Sequence, residues 1–219
     1  MNRIPSAIRQ YIAALRMLLV FTVICGIAYP VVMWGVAQAA FKNQANGSLV
    51  TYQGKVVGSS LLCQEFVNAK GDPLPQYFQP RPSDATSGAS NDYGCDPGFS
   101  AASNLGPNNP NLTTLVKQRQ AQISAFDHVP VSEIPPDAVT ASGSGLDPDI
   151  SPQNAAIQID RVAAARHLPV SEVKSLVGKF TQGRSIGILG EPRVDVLTLN
   201  IALDELPGQA KYVGGALSK

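Results

Sequence analysis

Between Arg16 and Lys42 the chain runs twenty-five residues without a charged side chain, MLLVFTVICGIAYPVVMWGVAQAAF, and no other apolar stretch comes near it in length. At about 1.5 Å rise per residue a helix of this run spans about 37 Å, enough to cross a hydrocarbon core of roughly 30 Å with some tilt. Its Leu, Ile, Val and Phe side chains, from Leu18 through Ile24 to Val36, favour insertion by about 3–6 kcal/mol, and no charge opposes them. Pro30 removes one backbone hydrogen bond and is expected to bend the helix near Gly26. Trp34 suits the outer interface, and Tyr29 either the interface or a partner helix. A cleaved signal peptide is the competing reading, because Ala37-Gln38-Ala39 fits a cleavage triplet, although a signal core is only about 7–15 residues long.

Beyond the run the pattern shortens. Leu49-Val50-Thr51-Tyr52 and Lys55-Val56-Val57 flank Gln53-Gly54, which predicts a β-hairpin. Residues 71–110 contain seven prolines and many Gly, Ser and Asn, so helix and ladder are both excluded over most of that span. A loop this long inside a compact domain binds something or is stapled. Apolar positions Leu112, Leu115, Val116, Ile123 and Phe126 predict an amphipathic helix over 112–126, capped near Asn111. Ser151 as N-cap and Pro152 at the first helical position open a second helix, with Ala155, Ile159, Val162, Ala163 and Arg166 on one face and an end near His167-Leu168-Pro169. Ser171 and Glu172 start a third, through Val173, Leu176 and Val177 to Phe180, with Gly183 closing it. The alternation over 193–201 reads as a strand that covers the helices, and the Gly-rich residues from Gly208 on read as frayed. The expected fold is one N-terminal transmembrane helix followed by one α+β domain.

Charge orients this arrangement. Arg3, Arg9, Arg16 and Lys42 are the only charged side chains in residues 1–42, and all but Lys42 precede the run. The positive-inside rule then places residues 1–16 in the cytoplasm, 17–41 in the membrane and 42–219 outside it. The chain's net charge of +1 falls to −3 for residues 43–219, with thirteen basic against sixteen acidic side chains. No basic patch of the kind that neutralises phosphates exists, which argues against nucleic acid. Of the three cysteines, Cys25 lies in the apolar run; Cys63 and Cys95, an exported pair without His neighbours, suit a disulfide closing a loop of roughly 30 residues, two unpaired thiols being the other reading.

Chemistry is sparse. His128 and His167 are the only histidines, one in a loop and one at a helix end where a protonated ring can meet the dipole, and both read as structural. No zinc spacing, P-loop or nucleophile elbow is present. Asp147-Pro148-Asp149 opens like a cation loop but lacks the rest of the pattern, so turn formation is the better reading. The segment that stands out is 139–152, VTASGSGLDPDISP. Its Thr140, Ser142, Gly143, Ser144, Gly145 and Asp147 could present backbone N–H groups to an anion or a partner, or could only permit tight turns.

Read in order, several stretches resemble the C-subunit family of the bacterial Kdp potassium-transporting ATPase. They include Tyr29-Pro30, Gln44 to Leu49, Tyr77-Phe78 with Arg81-Pro82-Ser83, Ser103 to Gly106, the whole of 139–152, Gln158 with Arg161-Val162-Ala163 and Ala165-Arg166, and Leu199-Asn200 with Ala202-Leu203-Asp204. Cys63, where that family usually has glycine, and Cys95 depart from the pattern as a pair, which strengthens the disulfide reading. The resemblance implies a non-catalytic accessory subunit beside a channel-like potassium-binding subunit, a P-type ATPase subunit and a small single-span subunit. It also implies a catalytic chaperone that raises the ATP affinity of the catalytic subunit, with no firmly bound cofactor and ATP met only through that subunit or in a transient ternary complex. Because charge asymmetry puts the 140–147 loop on the outer side, away from ATP, such an influence is expected to pass through helix packing. A membrane-tethered extracytoplasmic protein that binds a small ligand is the alternative. The resemblance also implies location in the bacterial inner membrane.

Overall fold

The computed structural model describes residues 5–89 and 93–207. The frayed end expected from Gly208 lies outside the described residues. Contacts divide the chain into two units, 1–48 and 49–219, each described by itself.

The first unit is one long helix and a short coda. Helix α1 (Ser6–Val23) passes into a π segment (Ile24–Ala28) and on into α2 (Tyr29–Ala40). The wider turn sits directly before Pro30, whose ring would otherwise strike the carbonyl four residues back; the Tyr29 N–H reaches the Ile24 carbonyl, five residues back. Around Gly26, where a bend is expected, the helix carries one widened turn. Residues 7–40 are long and apolar enough to cross a membrane, with none of the apolar window buried within the chain. A one-turn helix, α3 (Lys42–Ala45), follows.

The second unit begins with the antiparallel hairpin of β1 (Leu49–Tyr52) and β2 (Lys55–Ser59). Gln53 and Gly54 both hold positive φ, 50° and 76°, which gives the turn the twist a two-residue hairpin needs. Gly58 lets β2 come against Leu197, since a Cβ there would lie 2.7 Å from Leu197 Cδ2. Helix α4 (Pro110–Asp127) starts two residues before the expected position, because Asn109 rather than Asn111 is the cap, accepting from the Asn111 N–H. After a 3-10 turn (Val131–Glu133) and α5 (Pro136–Val139) comes β3 (Asp149–Ile150).

Helix α6 (Pro152–Arg166) is as the sequence predicts, with the Ser151 hydroxyl accepting from the Asn154 N–H at 3.0 Å. His167 ends it in the left-handed region, and the Leu168 N–H folds back to the Ala163 carbonyl. His128 ends α4 in the same left-handed conformation, so both histidines are helix caps. Helix α7 (Val170–Phe180) runs straight into β4 (Thr181–Gln182), which pairs with β5 (Arg193–Asp195). Gly183 is thus not its cap; the Thr181 hydroxyl donates to the Val177 carbonyl at that end.

The strand expected over 193–201 ends at Asp195. The Asp195 carboxylate accepts from the Thr198 N–H at 2.7 Å and nucleates α8 (Val196–Asp204), which buries Val196, Leu197, Leu199 and Leu203. β5 is the centre of a three-stranded antiparallel sheet, order β3-β5-β4. The core lies among α6, α7, α8 and β5, closed by Phe66, Tyr77 and Phe78 from the irregular region.

Candidate functional site

The proline-rich region is held by side chains rather than by a ladder. Asn200 on α8 accepts from the Phe78 N–H and donates to the Phe78 carbonyl, both at 2.9 Å, while Gln158 on α6 does the same for Gln79, at 2.7 and 3.2 Å. Each carboxamide reproduces the donor and acceptor that a neighbouring strand would offer. Arg161 donates to the carbonyls of Pro75 and Tyr77 and pairs with Asp127 at 2.6 Å; Arg166 donates to the Gln76 carbonyl and pairs with Asp204 at 2.7 Å. The Tyr77 hydroxyl also donates to Asp204. Residues 75–79 therefore form a strap whose main chain is recognised from two helices. Burial pushes the Asp127 carboxyl up and the Arg161 guanidinium down, each opposed by the charge of the other.

The 140–147 loop docks beside the continuation of this strap. The Gly145 carbonyl accepts from the Ser83 hydroxyl at 2.6 Å, and the Ser144 carbonyl from the Ala101 N–H at 3.0 Å. Arg81 pairs with Asp147 at 2.8 Å and donates to the Thr140 carbonyl. Gly145 has φ +71° and a Cβ there would stand 2.5 Å from the Ala101 carbonyl oxygen, so this glycine is required by backbone and by space. Two of the loop's N–H groups stay within it, Gly145 donating to the Ser142 hydroxyl and Leu146 to that of Ser144. Gly143 and Ser144 form the exposed tip. Asp147 accepts from the Asp149 N–H, a turn of the kind its sequence suggests.

Cys63 and Cys95 are joined in a disulfide with Cα atoms 5.4 Å apart, and Cys25 is a free, exposed thiol. Leu18, Ile24, Tyr29, Pro30 and Trp34 are all exposed along the apolar helix. Between the strap and α4 lies a cleft of about 750 Å³ lined among others by Glu65, Gln79, Arg81, Arg119, Phe126 and Gln158. Burial holds the Glu65 carboxyl up at about 7. Among the described residues no three His, Cys, Asp or Glu side chains gather where they could hold a metal ion. Sequence reading missed the strap's clamps as a site; the signal was a row of buried polar residues, Asn154, Gln158 and Arg161, along the face of α6 that otherwise packs into the core.

This is a protein of one class: an α+β body, closed by a disulfide and by side-chain clamps, preceded in the sequence by a helix that is, among the described residues, the one long and apolar enough to cross a membrane. Residues 11–205 match the family described as KdpC, K+-transporting ATPase, c chain. The chain belongs to that family. A potassium-transporting ATPase KdpC subunit from Paraburkholderia phytofirmans is 49% identical over 187 residues, 85% of this chain and 92% of the relative. One from Streptomyces avermitilis is 45% identical over 218 residues, 94% and 97%, and one from Methylococcus capsulatus is 48% identical over 199 residues, 91% and 99%. The motifs Tyr77-Phe78, Gln158 with Arg161, Arg166, and Asn200 with Asp204, by which the sequence resembles the family, are the strap and its clamps.

Proposed function

We propose that the chain is a non-catalytic accessory subunit of the Kdp complex. It is anchored once, with its N-terminus in the cytoplasm and its body outside, beside the potassium-binding subunit, the P-type ATPase subunit and the small single-span subunit. The observation that carries this reading is one continuous apolar helix with Arg9 and Arg16 on its N-terminal side, followed by a body closed by a disulfide. Both features agree with export into an oxidising space. The mildly acidic body, set at the mouth of the potassium-binding subunit, raises the local cation concentration, an effect that fades with salt. The exposed Gly143–Ser144 tip is the loop's partner-facing part. Any rise in ATP affinity then reaches the catalytic subunit as a coupling free energy through helix packing, without nucleotide on this chain.

Co-purification in mild detergent with the other Kdp subunits, together with protease added to cells stripped of their outer membrane, tests this reading. The body should be cut from outside and the subunits recovered together; a body protected from the protease, or a tag after Lys219 found in the cytosol, overturns the topology. The cleft lined by Glu65, Arg81 and Arg119 favours the second reading, a tethered binder of a small ligand. That reading requires ligand binding by the chain without any partner subunit.

A further inference from the structure

The segment joining β4 to β5 ends in a finger. Ile186 and Ile188 are 87% and 76% exposed, the most exposed large aliphatic side chains among the described residues, and Leu189 follows at 57%. The finger has a fixed shape. Ser185 and Leu189 exchange backbone hydrogen bonds at 2.8 and 2.9 Å, the Ile188 N–H donates to the Ser185 carbonyl and that of Gly187 to the Arg184 carbonyl. At the base Arg184 reaches both carboxylate oxygens of Glu191, at 3.0 and 2.9 Å.

The turn itself is built against local preference. Ile186 and Gly187 hold φ of +55° and +77°, the pattern of a tight hairpin turn whose first central position calls for Asn, Asp or Gly. A β-branched residue there is strained. No contact among the described residues repays the strain, since the Ile186 side chain is almost wholly in solvent.

We infer that Ile186, Ile188 and Leu189 form a docking finger that seats in an uncharged, apolar pocket on the outer face of another subunit of the potassium-transporting complex. This rests on the reading of the chain as an accessory subunit with its body outside. A protein pocket fits better than lipid for two reasons. A strained, hydrogen-bonded turn gains from a shaped receptor and gains nothing from a fluid one. The cations nearest it in sequence, Arg184 and Arg193, are each matched by a carboxylate, Glu191 and Asp149, so the base of the finger carries no net positive charge to draw it to an anionic headgroup. The finger is also aliphatic throughout, without the aromatic rings that anchor proteins at a bilayer surface.

The test uses the full chain in the assembled complex. With Cys25→Ser in the background, Ile188→Cys is labelled with a benzophenone maleimide and irradiated in the membrane. A light-dependent adduct to an outer segment of another transporter subunit, identified by peptide mass, is expected. An adduct to lipid alone, or none while the complex still co-purifies, overturns the proposal. In parallel, Ile186→Asn with Ile188→Asn relieves the turn while removing the aliphatic tip. This variant should keep the thermal midpoint of the isolated chain and lower recovery of the complex at least tenfold under stringent detergent; undiminished recovery counts against the finger. Should the unaltered chain fail to co-purify, the accessory-subunit reading itself falls, whereas failure of the finger experiments alone leaves that reading standing.

Discussion

Replacing Asn200 tests whether side chains really substitute for a strand along the strap. Asn200 is 1% exposed and Phe78 is wholly buried, so in Asn200→Leu the Phe78 N–H and carbonyl lose their partners with no water to take over. Each of the two stranded main-chain groups costs about 1–3 kcal/mol, so the substitution should destabilise the body by about 2–6 kcal/mol. That is a large part of a typical domain's total of roughly 5–15 kcal/mol. Asn200→Asp is the sharper probe. It keeps the acceptor for Phe78 N–H but sets a carboxylate oxygen against the Phe78 carbonyl, which raises the folded-state pKa. Protonation restores the missing donor, so this variant should be closest to wild type in acid and lose stability as pH rises through its raised pKa. Pulse proteolysis in urea on the detergent-solubilised chain reads the body selectively, because the one Trp, Trp34, lies in the apolar helix and does not report on it. A loss below about 0.5 kcal/mol for Asn200→Leu, the size of an ordinary surface change, would refute the clamp.

Glu65 contributes a pH dependence of its own: with its folded pKa raised from 4.5 to about 7, the folded state holds the proton more tightly, so stability falls as pH rises through that window, by on the order of 3 kcal/mol. Glu65→Gln should flatten that slope in urea titrations at several pH values, and an unchanged slope would show that the carboxyl is not desolvated. Cys63→Ser with Cys95→Ser should lower stability by about 3–4 kcal/mol for a loop of 32 residues' separation; reductant should do the same to wild type, and an unmoved urea midpoint would mean the bond does not form. Gly145→Ala should cost about 2–4 kcal/mol, because its Cβ would meet the backbone of both Ala85 and Ala101 at positive φ. Gly143→Ala, which meets nothing within 4 Å, should stay within about 0.5 kcal/mol of wild type when both variants are unfolded in urea.

What could be read from the sequence was local. Ser151-Pro152 and the apolar spacing behind them mark α6, and Gln53-Gly54 marks the hairpin, because caps and turns are decided by neighbours in sequence. The stretch that forms α8 reads as strand because Val194, Val196 and Ile201 are β-branched; the contrary signal is Asp195 three residues before Thr198, with apolar residues at 196, 199 and 203 behind it. The small residues of 140–147 announced tight turns, but the segments they dock on, around Ser83 and Ala101, did not show. The strap was the least legible, since Phe78 meets Asn200 across 122 positions and Tyr77 meets Asp204 across 127. No periodicity carries such pairings.

The strap has one more consequence. The Phe78 and Gln79 amides sit in a stretch without helix or strand, a place where hydrogens ordinarily trade with solvent within seconds or less. Here the Phe78 amide is held by Asn200 on α8 and the Gln79 amide by Gln158 on α6, so each is released only when the strap parts from a helix of the core. In heavy water these two protons should persist as long as those in the middle of α6, so an isotope clock would count this piece of irregular chain among the slowest parts of the molecule.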